Sequence, residues 1–417
     1  VFDGVSLRMT PNLSQDTMPP ISKRTRGLGT EHAFVVLAEV NGLIAQGRDI
    51  ISFAIGQPDF VTPKNIMQAA KNAMDAGKTG YTPSAGILEL RTAVAQHLNE
   101  TRGLSYTPED ITVSNGAKPF IMYTIQAVTD FGAGDEVIYP APGFPIYESQ
   151  IKVSGAVPVP LSLLEREAFS FDLKELRSKL NARTRLLILN FPHNPTGRTL
   201  SRAELEALAD VLRDFPDVWV FSDEVYSRMV HDGKFHSIAS LPGMTERTVL
   251  LEGASKSYAM TGWRLGYAAN RVLSPYFSTW ITNTDSCASS ITQWAGVEAL
   301  TGPQDEHRAM MDSFTRRRNI IHEGLNTLEG IKALKPGGAF YIWPNVTELC
   351  RMTGCPSAEA LRKRWLHEAG VAVLADTQFG TPVKGEGNFV RFSYATAEPK
   401  IHEGLQRLRD WIAKNKR

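Results

Sequence analysis

The sequence predicts an α/β protein, with a large domain around a mostly parallel sheet and a smaller α+β domain beside it. Three observations carry that expectation. Six short apolar runs between residues 111 and 253 alternate with helical stretches. Nearly every run ends in a polar or glycine-rich segment. After Pro336-Gly337-Gly338 the rhythm changes to short strands and helices. Strands that are apolar throughout are buried on both faces, the pattern of parallel sheets between helices. At 417 residues and 42% hydrophobic, the chain is also too long for one small core.

In chain order, residues 1–30 are rich in turn formers and read as an arm. Ala33, Val36, Leu37, Val40, Leu43 and Ile44 then recur with helical spacing. IISFAIGQPDF (50–60) reads as a short strand stopped by Gly56 and Pro58. A helix over 63–76, the turn TGYTPSAG and a helix from about Ile87 follow. The strands expected next are ITV (111–113), DEVIYP (135–140), GAVPVPL (155–161), RLLILNFP (185–192), VWVFSDE (218–224) and TVLLEG (248–253). Helices are expected at 120–128 and 201–215. In an open α/β sheet the carboxyl edge of such strands is where ligands bind. Residues 303–330 read as a long charged helix whose Arg316, Arg317 and Arg318 form a solvated face. AFYIWP, ALRKRWLHEAG, VAVLAD, NFVRFSYA and a final helix over 401–415 make up the smaller lobe. The expected division is an arm and part of the small domain at 1–55, a large domain at 56–330 and the rest of the small domain at 331–417.

Composition excludes several functions. With 45 Lys and Arg against 44 Asp and Glu, the net charge of +1 disfavours a nucleic-acid partner. Three cysteines without CxxC exclude a disulfide scaffold and a thiolate zinc cluster. His231 and His236 are five apart, and there is no HExxH, so no metal is expected. No apolar run is long enough to span a membrane, and the start has no signal-peptide pattern. Neither GxGxxG nor GxxxxGK[ST] occurs where a nucleotide loop would need it. The expectation is a cytoplasmic protein.

The chemistry concentrates in LLEGASKSYAMTGWRLGYAA (250–269). Lys256 follows an apolar strand through a Gly-Ala-Ser turn, so it belongs at the sheet's carboxyl edge. A lysine near other cations loses proton affinity, which suits an amine that must attack an aldehyde. Arg264 lies between Gly262 and Gly266, where the backbone can approach a ligand closely. Asp223 ends an apolar strand in VFSDEVYS, where a buried acid needs a cation such as a protonated ring nitrogen. Asn194 sits in the proline-bounded loop NFPHNPTG. SNGAKPF (114–120) opens a helix with free N–H groups that suit a phosphate. Phe144 can cover an aromatic ring. These pieces specify a phosphorylated, aromatic, protonatable aldehyde.

The chain resembles the fold-type I pyridoxal-phosphate enzymes, specifically the class I/II aminotransferases of the aspartate and aromatic type. The resemblance runs from about Glu31 to the C-terminus. GQPDF (56–60), YTPSAG (81–86), NPTG (194–197), SDEVY (222–226), SK-x7-R (255–264) and FVRFSYA (389–395) carry it. It implies a seven-stranded central sheet, a small domain built from both chain ends, and pyridoxal 5′-phosphate as cofactor. By the resemblance, Lys256 bonds the cofactor and shuttles a proton, and Asp223 pairs with the pyridine nitrogen. Tyr226 and Asn194 would hold the phenolic oxygen, and Phe144 would stack on the ring. The phosphate would be held by the Gly116 and Ala117 amides, Arg264 and Tyr81 of the partner subunit. Arg391 would grip the substrate α-carboxylate, with Gly56 and Asn194 nearby. Lys118, in the same turn as the phosphate amides, resembles a lysine that meets a distal carboxylate in one branch. Many relatives carry a hydroxyl residue three before the lysine. Here that position is Gly253, and Ser255 is the neighbouring hydroxyl that can compensate.

The implied activity is a ping-pong transfer from an L-amino acid to a 2-oxo acid such as 2-oxoglutarate, in a homodimer with shared active sites. Aspartate, aromatic and other donors all remain open. Two rivals stand beside it. One is a β-lyase, decarboxylase or cyclising enzyme on the same fold; the other is a non-enzymatic cofactor-sensing regulator, which should carry a DNA-binding module.

Overall fold

The computed structural model describes residues 19–29, 32–383 and 385–417. The first 18 residues of the expected arm lie outside them, as do 30, 31 and 384. Among the described residues there are twelve strands, in chain order β1 Ile51–Ser52, β2 Ile111–Asn115, β3 Glu136–Ala141, β4 Val157–Ser162, β5 Thr184–Asn190, β6 Trp219–Asp223, β7 Thr248–Gly253, β8 Leu265–Ala269, β9 Tyr341–Ile342, β10 Val371–Ala372, β11 Leu374–Ala375 and β12 Val390–Ser393.

Seven of them form the central sheet, in the order β2-β8-β7-β6-β5-β3-β4. Every pairing from β7 to β4 is parallel, while β8 runs antiparallel to both β2 and β7. The six expected strands are all present. The seventh, β8, was not among the runs picked out residue by residue. Alternate residues of the central strands enter two different cores. Val137, Tyr139, Leu186, Ile188 and Phe221 pack with Phe120, Tyr147 and Phe277 of one helical layer. Ile138, Leu187, Leu189 and Val220 pack with Leu176, Leu205, Leu208 and Leu212 of the other. Burial on both faces is why these strands read as unbroken apolar runs. Pro158 and Pro160 are tolerated because β4 is an edge strand, where a missing N–H breaks no inner ladder bond.

The smaller lobe carries the antiparallel sheet β11-β12-β9 and the parallel pair β1-β10. Helices Asp305–Asn326 and Glu398–Asn415 cover it, packing Phe314, Ile321, Leu405 and Leu408 into one core with Trp365 and Phe392. The expected solvated arginine face needs correction. Arg316 is exposed, but Arg317 and Arg318 are buried at 7% and 2% exposure. Arg317 bonds Asp59 at 2.6 Å and lies over Phe60, while Arg318 pairs with Asp232 and donates to the Pro336 carbonyl. A guanidinium can be buried in this way because its flat faces pack on rings while its edge is satisfied.

The carboxyl edge of the central sheet faces this lobe. Register sets Asn190 opposite Asp223, and Gly253 opposite Gly266, at that edge.

Candidate active site

A cavity of about 520 Å³ opens at the carboxyl edge. Of the residues singled out from the sequence, all except Gly116 and Tyr81 line it. Asp223 ends β6 and is 5% exposed. Its carboxylate accepts a hydrogen bond from the Tyr147 hydroxyl at 2.6 Å and one from the Val225 amide at 3.3 Å. Burial still pushes this carboxyl up to about 6, against the pull of those two bonds and of Lys256. Lys256 lies three residues past β7, in the short helix Ala254–Ser257, and its Nζ donates to the Gly56 carbonyl at 2.5 Å.

Asn194 follows β5 in a loop pinned from inside. His193 is fully buried, stacks on Phe191 at 5.3 Å and meets the Thr196 hydroxyl at 2.8 Å. Burial pushes this imidazole down to about 3, so it is a neutral brace at physiological pH. Arg391, on β12, reaches the cavity from the small lobe with 3% exposure. It donates to Asn194 Oδ1 at 2.9 Å and to the Ala54 carbonyl at 2.6 Å. The Tyr341 ring lies 4.3 Å from its guanidinium and the Phe379 ring 4.9 Å. A fork held from behind by two rings is oriented for a planar carboxylate. The Tyr226 hydroxyl is 2.7 Å from that of Tyr341.

At the opposite end, Arg264 is exposed with φ 55° and donates to the Thr261 carbonyl at 2.9 Å. Gly116 faces it with φ +91°, and a Cβ there would fall 2.2 Å from Arg264 Nη2. The left-handed backbone favours glycine here, and the missing side chain leaves the guanidinium its place. The Gly116 amide, expected to meet a phosphate, donates here to the Ser114 carbonyl at 2.8 Å. Gly116 also makes room, and Ala117, Ser255, Thr261 and Arg264 line the cavity. Lys118 stands exposed at the start of helix Pro119–Val128 with its Nζ 5.4 Å from the Phe144 ring. Phe144 is half-buried and meets Tyr147 edge-on. Tyr81 is 92% exposed, beside Cys287 and Ser289 in a separate depression, and is not brought into the cleft of its own chain.

The unusual Gly253 has an extended backbone (φ −166°) that any residue adopts. A Cβ there would meet its nearest neighbour, the Leu265 carbonyl, at 3.3 Å. Gly253→Ser is therefore expected to fold and to tighten phosphate-ester binding about fivefold, roughly one added hydrogen bond. Titration of the cofactor-free protein measures it; weaker binding than wild type would show that the hydroxyl does not reach the phosphate end.

Sequence reasoning missed Tyr147 and Tyr341, although Tyr147 lies three residues past Phe144 and Tyr341 stands in the marked segment AFYIWP. It also missed the ion cluster behind Asp223. Arg102 pairs there with Glu224 and Glu252, Ser237 donates to Glu224 at 2.5 Å, and Tyr267 donates to Glu252 at 2.8 Å. Burial raises Glu224 to about 7 although Arg102 pulls it down. The cluster ties the ends of β6 and β7 to helix Leu88–Arg102, fixing the strand ends that carry Asp223 and Lys256.

A family model for aminotransferases of class I and II matches residues 48–408. The aspartate/prephenate aminotransferase of Cereibacter sphaeroides is 39% identical over 379 residues, covering 89% of this chain and 93% of that protein. Among solved structures, the aspartate aminotransferase of Rhizobium meliloti has a TM-score of 0.89 at 33% identity, covering 96% of this chain and 100% of that one. The aspartate aminotransferase of Thermus thermophilus with maleate gives 0.87 at 35%, covering 94% and 100%. Relatives so named favour neither a lyase, decarboxylase or cyclising enzyme nor a regulator. With a cleft of this make-up and a family match over most of its length, the chain belongs to the class I and II aminotransferases and is an enzyme that transfers amino groups.

Proposed function

We propose that this aminotransferase uses pyridoxal 5′-phosphate to move the amino group of an L-amino acid, aspartate foremost, to a 2-oxo acid such as 2-oxoglutarate. The observation that carries the reading is Asp223, a carboxylate buried in the cleft that also holds the Lys256 amine. A carboxyl raised by desolvation is matched by a protonated ring nitrogen, and the exposed Arg264 by a phosphate. Phe144 offers the aromatic face.

When bound, the cofactor supplies an aldehyde for the donor amine and an electron-withdrawing ring that makes the α C–H acidic. Lys256 Nζ takes the proton from the donor's α-carbon and delivers it again, which needs its basicity near working pH. Arg391 and Asn194 hold the α-carboxylate and so fix which bond at that carbon faces Lys256. Tyr226 would donate to the phenolic oxygen, and Asp223 would keep the ring nitrogen protonated. Ile55, Ile121 and Val225 keep the cleft walls apolar.

Lys118 is the group proposed for a distal carboxylate. The names of the relatives support a dicarboxylic donor, and the maleate held with the Thermus thermophilus protein is a dicarboxylate. An exposed ion pair is worth about 1 kcal/mol. Lys118→Ala is accordingly expected to lower kcat/KM for aspartate by up to about fivefold and for an aromatic donor by less than about twofold. Equal losses on both donors would remove Lys118 from the distal role.

The same reading makes the protein a homodimer in which Tyr81 serves the partner's phosphate end. Its 92% exposure, outside the cleft of its own chain, leaves the side chain available to a partner and supports this. It also takes residues 1–55 and 331–417 as one small domain. Pairing of β1 with β10, and the contacts of Glu39 with Arg362 at 3.4 Å and His367 at 3.1 Å, support that division. Free Cys287, Cys350 and Cys355 support a reducing, cytoplasmic setting. No described helix is long and apolar enough to cross a membrane.

A panel of amino donors with 2-oxoglutarate tests the whole. Glutamate should form in step with donor loss, with initial-rate lines parallel as a ping-pong cycle requires. No glutamate from any donor would overturn it.

A further inference from the structure

We propose that Tyr341 is a positioning residue that directs the Tyr226 hydroxyl proton, so that carboxylate capture at Arg391 alters the hydrogen bond Tyr226 offers inside the cleft. The proposal rests on the pyridoxal-phosphate reading above.

Tyr341 comes from β9 of the small lobe and is 1% exposed. Its hydroxyl oxygen is 2.7 Å from that of Tyr226, and only one of their two protons can lie between the oxygens. If Tyr226 donates, its proton is turned away from any cofactor. If Tyr341 donates, the Tyr226 proton stays available to a phenolic oxygen. Arg391 decides between the two. Its guanidinium lies 4.3 Å from the Tyr341 ring, and a cation over a ring draws electron density from it. The phenol so polarised becomes the better donor and the poorer acceptor. The Tyr226 ring meets its aromatic neighbours Phe340 and Tyr341 edge-on. Gly56 hems in the same hydroxyl, since a Cβ there would fall 2.4 Å from Tyr341 Oη.

Tyr341 therefore donates to Tyr226, and Tyr226 donates into the cleft as a polarised chain. A substrate carboxylate on Arg391 cancels the cation that biases Tyr341. The chain then weakens, and an anionic phenolic oxygen is less stabilised. Asn194, 2.9 Å from Arg391, offers a parallel path, so Tyr341 carries part of the effect.

The test is the pH titration of the visible absorbance of the lysine-bound cofactor, with and without maleate, in the loaded enzyme. In Tyr341→Phe the ligand-free midpoint should rise by about 0.5 unit, roughly a threefold change in proton affinity. The maleate-induced shift should fall below about half of the wild-type shift. Tyr341→Phe added to Tyr226→Phe should move the midpoint no further. Affinity of the cofactor-free protein for pyridoxal phosphate should weaken about threefold, with the unfolding midpoint unchanged. Tyr226→Phe alone should also lose about half of the maleate shift, which serves as the test should Tyr341→Phe not fold. A Tyr341→Phe enzyme that titrates and shifts as the wild type does, or a full maleate shift in Tyr226→Phe, overturns the relay alone. A wild type with no such absorbance overturns the cofactor reading, and the relay with it.

Discussion

Lys256→Ala is expected to leave a folded protein that holds pyridoxal phosphate without a covalent bond and turns over at least about 10⁴-fold more slowly. The loss is large because two roles end together. The amine that bonds the cofactor is gone, and so is the base at the donor's α-carbon. Positioned proton transfer alone contributes about 10² to 10⁴-fold. No nearby group replaces it. Tyr226 is held well above its usual range by burial, and Asp223 already meets Tyr147 and the Val225 amide. The fold survives because the side chain lines an open cleft and its removal leaves no packed void. Absorbance spectra and single-turnover rates measure the two losses separately. A covalently held cofactor in the variant, or turnover within tenfold of wild type, would take both roles from Lys256.

The strands that build this cleft were legible because burial on both faces leaves its mark in the sequence, as in RLLILNFP, where consecutive side chains enter opposite cores. β8 left no such mark. Its five residues follow directly on Arg264 in the left-handed region, and Gly266, Ala268 and Ala269 are small. It becomes a strand by pairing with β7 on one side and, on the other, with β2, 150 to 158 positions away. The buried Arg317 is similar, because its place in the interior depends on Asp59, 258 positions away.

The candidate site divides along the same line. Asp223, Asn194 and Lys256 were legible because each follows the end of an apolar run, where chain order alone gives the edge of the sheet. Tyr147 and Tyr341 were not, since their meaning lies wholly in partners 76 and 115 positions away. Either tyrosine taken alone reads as an ordinary core aromatic. The Gly116 amide is a finer case. A glycine opening a helix predicts free N–H groups, but the turn that admits Arg264 points this one back at Ser114.

Asp223→Asn is expected to stabilise the empty protein at neutral pH and to weaken the loaded one. In the folded chain burial raises the Asp223 carboxyl from 3.8 to about 6. A raised folded value means that the folded state prefers the protonated form. Its contribution to stability is complete below about pH 4 and is lost as pH rises through about 6. Two units correspond to about 3 kcal/mol. Asparagine has the same shape, stays neutral and keeps an oxygen for the Tyr147 hydroxyl. The cofactor-free variant should therefore exceed wild type by up to about 3 kcal/mol at pH 8, with the gap closing near pH 4. Loading reverses the order, because a protonated ring nitrogen then compensates the aspartate and not the amide. Removing one partner of a buried ion pair costs about 3–5 kcal/mol, so cofactor affinity should fall about 10² to 5 × 10³-fold, with turnover reduced as well. Denaturant unfolding at the two pH values, with and without cofactor, measures both arms. A side chain held for packing would lose stability in every arm, whereas one held for a cationic ligand gives this crossover; an empty variant less stable than wild type at pH 8 would remove Asp223 from that role.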